Sequence, residues 1–229
     1  MSIKAATRMS AGGKRENVYK RKAIKPRMTA EQRREAIMAA AEQVFAEKGY
    51  HETTVEIVAG VADVSKALIY QHFPTKRDLY QALLATSGDE LLARVEASGA
   101  RTGSREERLR GGIEDFFEFV VQHPGAARLL FCNATDPDVV GELDRVREEA
   151  AAMIADLLTE EVPPSRAEDP IPVEVALAML AHQLIGALQA LAVWWLDNPD
   201  TNRNAVVRMA MESVWIGLDR LSAGERWTC

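Results

Sequence analysis

The stretch from Thr53 to Lys76, TTVEIVAGVADVSKALIYQHFPTK, constrains the fold of this chain more than any other. Thr53 followed three residues later by Glu56 is a capping-box pattern, which predicts that a helix begins there. Ser65 is a favourable N-cap for a second helix. Asp63 lies between the two, where a turn can require a left-handed backbone. Two helices of about two turns joined by about three residues are typical of a helix-turn-helix.

The second of these helices, residues 66–73, has a polar face suited to nucleic acid. Leu68, Ile69 and Phe73 are expected to point into a small core. The opposite face is left with Ser65, Lys66, Ala67, Tyr70, Gln71 and His72. Hydroxyls, an amide and a cation without an acid can donate to phosphates and to base edges in a major groove. The pattern alone fits an ordinary helical hairpin with a polar outside equally well.

The surrounding run, IMAAAEQVFAEKGYHETTVEIVAGVADVSKALIYQHFPTKRDLY, resembles the DNA-binding domain of TetR/AcrR-family transcriptional regulators. It is similar to the family pattern A-x-x-x-F-x-x-x-G-Y/F, then T-T/S-V, A-G-V-S-K-G-x-L-Y-x-H-F and S/T-K-x-x-L. Val58, Asp63 and Ala67 depart from the residues usual in the family, and Ile57 lies where the family is commonly polar. The resemblance implies an all-α fold, with a three-helix helix-turn-helix domain followed by a larger helical domain for effector binding and dimerisation.

The resemblance also implies roles for single residues. The expected phosphate anchors are Thr54, Tyr70, His72 and Lys76, and Ser65 is expected in the same groove. On the polar face of the second helix, our own candidates for base readout are Lys66, Ala67 and Gln71. A glutamine bonded to an adenine edge gives about 1–3 kcal/mol of discrimination. The predicted partner is therefore double-stranded DNA, and the two-fold symmetry of the expected homodimer requires a pseudo-palindromic operator.

Charge is distributed unevenly along the chain, whose formal net charge is −6. Residues 1–28 hold nine Lys or Arg and one acid, whereas residues 81–229 hold thirteen Arg, no Lys and twenty-five acids. We expect residues 1–28 to be a disordered basic arm that adds DNA contacts, residues 29–74 to be the DNA-binding domain, and residues 75–229 to be the effector and dimerisation domain. A solvated tail, or a chain that starts at Met9 or Met28, remains the alternative for the arm.

Two cysteines, Cys132 and Cys229, are too few for a disulfide framework, which favours a reducing cytoplasm. The positively charged N-terminus has no apolar stretch of the kind found in signal peptides. The segment Val173–Leu196 is very apolar, but residues such as Glu174 and His182 interrupt it. A buried helix is therefore predicted there rather than a membrane span.

The rest of the chain has helical periodicity, and about nine helices are predicted in all. Capping boxes at Thr29, Thr75 and Ser104 mark three helix starts. Further helices are expected over about 126–132, 138–161, 173–196 and 202–221. The penultimate helix is apolar nearly all round, which predicts burial on more than one side. By resemblance, the last two helices pair with those of a second copy, and a homodimer places two recognition helices about 34–36 Å apart.

The second domain carries candidates for an effector site. Aromatic walls with a few polar groups are typical of small-molecule pockets. The candidate lining residues are Phe116, Phe117, His123, Phe131 and His182. Ordinary core packing is the alternative for each of them, and His182 also fits a hydrogen-bonded core histidine. Only the resemblance favours an effector pocket, and a small, largely apolar molecule is expected in it.

Catalytic and metal-binding patterns are missing from the sequence. It has no HExxH, no CxxC and no Gly-rich phosphate loop, and Ser65 has no GxSxG context. Asp136 and Asp138 fit a turn and a helix start better than a metal loop. We therefore expect no enzyme activity, cofactor or metal. The resemblance implies a ligand-responsive DNA-binding regulator, and we expect it to be a repressor. The alternatives are an activator or co-repressed regulator, or an all-α small-molecule-binding or enzymatic protein whose helix-turn-helix is only structural.

Overall fold

The computed structural model describes residues 28–132, 140–159 and 171–222, with side chains described up to residue 215. The basic arm, Asp136 and Asp138 lie outside these residues. Within them the chain forms nine helices and no strand, which confirms the predicted all-α fold. The helices are α1 (Ala30–Glu52), α2 (Val55–Val61), α3 (Lys66–His72), α4 (Lys76–Gly99), α5 (Arg105–Gln122), α6 (Pro124–Cys132), α7 (Val140–Thr159), α8 (Val173–Leu196) and α9 (Arg203–Ser222).

The helix starts follow local capping chemistry. Reciprocal capping boxes form at Thr29, Thr75 and Ser104, as predicted. The box predicted at Thr53 is wrong by one residue, because Thr54 caps α2 and accepts from the Ile57 N–H. Thr53 is buried instead, and its hydroxyl donates to the carbonyl of Gly49 over 2.7 Å.

One further helix boundary agrees with the prediction and one differs. The first helix is interrupted at Gly49, as predicted, because the backbone of Gly49 is non-helical with a φ of 75°, and the helical residues beyond this kink extend α1 to Glu52. Pro124 begins α6 instead of only ending α5, because a proline fits the first turn of a helix, where its missing N–H is not needed. His123 is the C-cap of α5 and separates the two helices.

An aromatic cluster holds the start of α4 against α1. The Tyr80 ring lies 4.7 Å from that of Phe45 and 5.0 Å from that of Tyr50, centroid to centroid. Phe45 and Tyr80 are almost completely buried, at 0% and 1% exposure. The orientation of α4 is therefore tied to the helix that supports α2 and α3.

In the second half of the fold, α4 packs against α5, α6 and α7. α4 and α7 approach closely where Gly88 faces Val146, since a Cβ added at Gly88 would lie 2.5 Å from a Val146 methyl. α6 packs between α1 and α8, and α9 packs on α5 and α8. Arg105 is buried among these helices and donates to the carbonyl of Leu158 over 3.4 Å.

α8 is buried along one stripe only, so the prediction of burial on more than one side is wrong for the single chain. The buried stripe consists of Leu177, Ala181, Leu184, Leu188, Ala192 and Trp195. On the other side, large apolar side chains are exposed: Val175, Met179 and Trp194 on α8, and Met209 on the adjacent α9. We call these four residues the apolar face. By length and composition α8 meets the criteria for a membrane-spanning helix, as do core helices of many soluble proteins.

Candidate nucleic-acid interface and effector cavity

The turn between α2 and α3 is tight and hydrogen-bonded. Asp63 adopts a φ of 52°, the only positive φ outside glycine among the described residues. The Val64 N–H donates to the Ala59 carbonyl over 3.0 Å, which closes the turn. Asp tolerates this left-handed conformation, so the departure from glycine at this position preserves the turn.

α3 is anchored by apolar residues on one side and presents its polar residues on the other. Ile69 and Phe73 are buried, at 1% and 3% exposure. The Ser65 hydroxyl caps the helix by accepting from the Leu68 N–H over 3.2 Å. The predicted DNA-facing residues on the exposed side of α3 are Ser65, Lys66, Ala67, Tyr70 and Gln71. The helix-turn-helix thus brings five of the eight DNA-contact candidates onto one surface.

The one cation on this face is paired within the protein. The Lys66 ammonium forms an ion pair with the Glu56 carboxylate on α2 and lies 5.6 Å from the centroid of the Tyr70 ring. The hydrogen bond from Lys66 lowers the pKa of the Glu56 carboxyl and raises the pKa of Lys66. Sequence reasoning missed Glu56 as a partner, because the contact spans the turn.

The other three DNA-contact candidates are less exposed or otherwise engaged. Thr54 is exposed at the start of α2, with its hydroxyl acting as the cap, and His72 is half-buried. The Lys76 ammonium donates to the carbonyls of Tyr50 and Thr53, over 2.8 and 3.0 Å. It also lies 4.3 Å from the Tyr50 ring centroid. Lys76 therefore holds the start of α4 against the connection between α1 and α2, a role that the sequence did not predict.

A cavity of about 350 Å³ lies between α4, α5, α7 and α8, with one wall residue from α6. Its wall is predominantly aliphatic and aromatic. The apolar residues that line it include Leu92, Ile113, Phe116, Phe131, Met153 and Leu188. This volume is within the range of small-molecule sites, about 300–1,000 Å³.

A few polar side chains also line the cavity. They are Glu96, Arg108, Arg147, Asp156 and Gln189. Glu96 and Asp156 are exposed, so the cavity reaches the protein surface near them. The Arg147 guanidinium donates to Asp144 over 3.3 Å, and Arg108 donates to the Gly99 carbonyl over 3.4 Å. The wall of this mainly apolar cavity therefore includes two arginines.

Two of the five predicted lining residues, Phe116 and Phe131, line this cavity, and three do not. Phe117 points the other way and packs edge-on against Trp195, with 5.6 Å between ring centroids. His123 stacks on Phe119, with Nε2 lying 3.2 Å from Arg94. These two are therefore packing residues of α5 and its C-cap.

His182 is the third predicted lining residue that lies outside the cavity. More than half of its side chain is exposed on α8, with Nδ1 2.9 Å from the Ala178 carbonyl and Nε2 3.4 Å from Glu148. Both contacts raise the pKa of this histidine, the first more strongly. It is therefore neither a cavity residue nor a core histidine.

The main wall residues missed by sequence reasoning come from α7 and α8. Met153 and Leu157 are apolar residues of α7, and Leu184 and Leu188 belong to the buried stripe of α8. The sequence pattern predicts apolar faces on these two helices, but it does not indicate which face lines a cavity. The same two leucines of α8 also line a groove against α9, together with Trp194 and Met209 of the apolar face.

Metal-binding clusters are absent from the described residues. No group of three or more His, Cys, Asp or Glu side chains is placed to hold an ion in that part of the chain. Cys132 is a free, exposed thiol, and partial burial raises its pKa.

Comparison with known proteins identifies the family. Residues 37–83 match the family described as bacterial regulatory proteins, tetR family, and residues 105–217 match the tetracyclin repressor-like C-terminal domain. The HTH-type transcriptional repressor Rv1474c of Mycobacterium tuberculosis is 30% identical over 181 residues, 79% of this chain and 91% of that protein. The HTH-type transcriptional activator FasR of Mycolicibacterium smegmatis is 29% identical over 200 residues, 85% of this chain and 87% of that protein.

Solved structures share the fold. A TetR-like transcriptional regulator from Rhodococcus sp. RHA1 has a TM-score of 0.72 at 24% identity, covering 84% of this chain and 99% of that one. The regulator FadR of Bacillus subtilis, solved with stearoyl-CoA, has a TM-score of 0.65 at 20% identity, covering 84% and 99%. The chain belongs to the TetR family. It is accordingly a ligand-responsive transcriptional regulator that binds operator DNA as a dimer.

Proposed function

We propose that this protein is a repressor that leaves its operator when a molecule with a long apolar chain, such as a fatty acyl-CoA, enters the cavity. The observation that carries the proposal is the aliphatic and aromatic lining of that cavity. A protein of the same fold, B. subtilis FadR, was solved with stearoyl-CoA, which supports this chemical class. The acyl chain would occupy the chamber lined by Phe116 and Phe131. Arg108 and Arg147 would pair with phosphates of the head group.

For DNA binding we propose that α3 enters the major groove. The base edges would be contacted by Lys66, Ala67 and Gln71. Ser65 and Tyr70, which are exposed on the same face, would contact the DNA beside them. Thr54 and His72 would contact phosphates. Lys76 would act mainly by positioning the α1–α2 corner, because its ammonium is bonded to two carbonyl groups there. The basic arm would add phosphate contacts, each steepening the salt dependence by about 0.9 in log–log slope.

We propose that the dimer forms through the apolar face of α8 and α9. Exposed Met179, Trp194 and Met209 give this face the apolar area that a homodimer interface buries. The apolar face of one chain can therefore pack against the same face of a second chain. The two-fold symmetry of such a dimer requires a pseudo-palindromic operator.

The proposed release follows from the position of α4. Leu91, Leu92 and Val95 of this helix line the cavity, and its other end carries Lys76 and Tyr80, which contact the DNA-binding helices. A ligand that fits the cavity better when α4 is shifted favours that shifted state. The two α3 helices then lose the spacing that the operator requires.

The test is operator binding measured by fluorescence anisotropy with acyl-CoA thioesters of short, medium and long chains. The operator is first selected from random duplexes. Palmitoyl-CoA is expected to weaken operator binding by at least about tenfold, which corresponds to 1.4 kcal/mol of coupling. Free coenzyme A, which lacks the chain, is the matched control and should have no effect. Equal effects of coenzyme A and palmitoyl-CoA would refute the proposed effector class.

Activation is the second candidate, favoured by the similarity to FasR, which is named as an activator. A promoter–reporter fusion with the selected operator separates the two directions. Repression predicts higher expression when the protein is absent, and activation predicts lower expression. We also propose that the protein acts in the cytoplasm, has no enzymatic activity, and has its domain boundary near residue 75.

A further inference from the structure

Lys66 is the only lysine or arginine between residues 53 and 75, so it supplies the only fixed positive charge of the helix-turn-helix. Its ammonium is bonded to the Glu56 carboxylate, and the Tyr70 ring lies beside it. Glu56 is in the first turn of α2, and Lys66 is the first residue of α3. The ion pair therefore spans the beginning of both helices on the surface proposed to face DNA.

Fold stability does not explain this ion pair. The side chains of Lys66 and Glu56 are 48% and 58% exposed. Exposed pairs contribute roughly 0–1 kcal/mol to folding. A carboxylate on a DNA-facing surface also repels phosphates, which lowers affinity for any DNA. Glu56 also lies in the first turn of α2, where the helix dipole favours a carboxylate, but that effect does not require the contact with Lys66. The contact therefore has a role left for DNA binding.

We propose that Glu56 increases the preference of the protein for its operator over other DNA by holding Lys66 away from phosphates. The Lys66 ammonium then bonds base edges of the operator and does not bind the backbone of arbitrary DNA. A lysine has three N–H donors on a flexible stem. One donor can stay on Glu56 while the others bond guanine O6 or N7. A phosphate contact instead pulls the ammonium off Glu56 and leaves the carboxylate facing a polyanion.

The test compares the wild type with Glu56→Gln, which keeps the shape of the side chain and removes its charge. Dissociation constants are measured by anisotropy for the operator and for a scrambled duplex of equal length over a range of salt concentrations. The freed lysine should tighten binding to the scrambled duplex about three- to tenfold and steepen its salt slope by about 0.9. Operator affinity should change less, so the ratio of the two affinities falls. An unchanged ratio overturns the proposal.

Two further variants separate the role of the ion pair from the effect of charge alone. Glu52→Gln removes an exposed acid from the end of α1, and should leave the affinity ratio as in the wild type. In a Lys66→Gln background, Glu56→Gln should no longer change the ratio, because it acts through Lys66. A Glu56→Gln effect that persists without Lys66 overturns the proposal, since Glu56 then repels DNA by itself.

The proposal rests on the contact between α3 and DNA proposed above, and the Lys66→Gln variant tests that contact separately. Loss of operator affinity in this variant supports the contact. Unchanged affinity for both duplexes overturns both the contact and the role of Glu56. Circular dichroism melting of each variant confirms that the fold is retained, as expected for substitutions at exposed positions.

Discussion

The carboxylate of Glu42 on α1 accepts a hydrogen bond of 3.0 Å from the backbone N–H of Ala126 in the first turn of α6. A negative charge at a helix N-terminus is favourable, because it faces unpaired N–H groups and the positive end of the helix dipole. Gly125 leaves room for this contact, since a Cβ there would lie 2.8 Å from a Glu42 oxygen. α6 also carries Phe131 on the cavity wall. The contact therefore connects the cavity region to the DNA-binding helices independently of α4.

Glu42→Ala should lower the free energy of unfolding by about 1–2 kcal/mol, because it removes a charged acceptor from a partly buried N–H. Urea denaturation followed by circular dichroism measures the change. Glu35→Ala, at an exposed position on the same helix, is the matched control and should stay within about 0.5 kcal/mol of the wild type. Similar losses in the two variants would show that the Ala126 contact contributes nothing.

Gln71→Ala and Lys76→Ala should affect DNA binding differently. Gln71 is exposed on α3, and its loss should relax preference at one base position by about 1–3 kcal/mol. Lys76 braces a corner of the protein, so its loss should weaken binding to all sequences evenly. Binding to a set of single-base operator variants measures both effects. An even loss across sequences in both variants would refute this division of roles.

Gly88→Ala should destabilise the protein by about 1–3 kcal/mol, because its Cβ would collide with the Val146 methyl 2.5 Å away. Adding Val146→Ala should recover part of the loss by removing that methyl. Gly141→Ala, on α7 with nothing within 4 Å of its Cβ, is the control and should not destabilise. Chemical denaturation provides all three values. A Gly88→Ala protein as stable as the Gly141→Ala control would show that α4 and α7 are not closely packed at Gly88 and Val146.

Met209→Glu should weaken the dimer. Met209 is 58% exposed on the apolar face, and a buried, unpaired carboxylate at an interface costs several kcal/mol. Analytical ultracentrifugation should show a larger monomer fraction, and operator affinity should fall with it. Val121→Glu places the same charge on an exposed apolar position of α5. If Val121→Glu dissociates the dimer and Met209→Glu does not, the interface lies elsewhere.

Local chemistry made much of the fold predictable. The capping boxes at Thr29, Thr75 and Ser104 depend only on residues three apart, and all three form. Thr53 and Thr54 are chemically equivalent in the sequence. Only the kink at Gly49, which brings the Thr53 hydroxyl onto a carbonyl of α1, makes Thr54 the cap.

The cavity was less predictable, because it depends on how each helix is rotated about its axis. Phe116 and Phe117 are neighbours with the same side chain, yet one lines the cavity and the other packs on Trp195. The Glu56–Lys66 pair and the inward-turned Lys76 likewise depend on contacts across a turn or between helices. None of these distances is set by sequence spacing alone.

We expect occupation of the cavity to control DNA binding, and a substitution at Gly112 tests this coupling. Gly112 lines the cavity, and a Cβ added there would meet only Val95, at 3.9 Å. Gly112→Leu should therefore fill the chamber without disrupting the helix. The measurement is the ratio of operator dissociation constants with and without palmitoyl-CoA, in the wild type, in Gly112→Leu and in the control Gly141→Leu.

The wild type and Gly141→Leu should show a ratio of at least about ten, and Gly112→Leu a ratio near one. Operator binding without ligand should stay intact in all three proteins. A Gly112→Leu protein that keeps its operator affinity and still responds to palmitoyl-CoA like the wild type would show that occupation of this cavity does not control DNA binding.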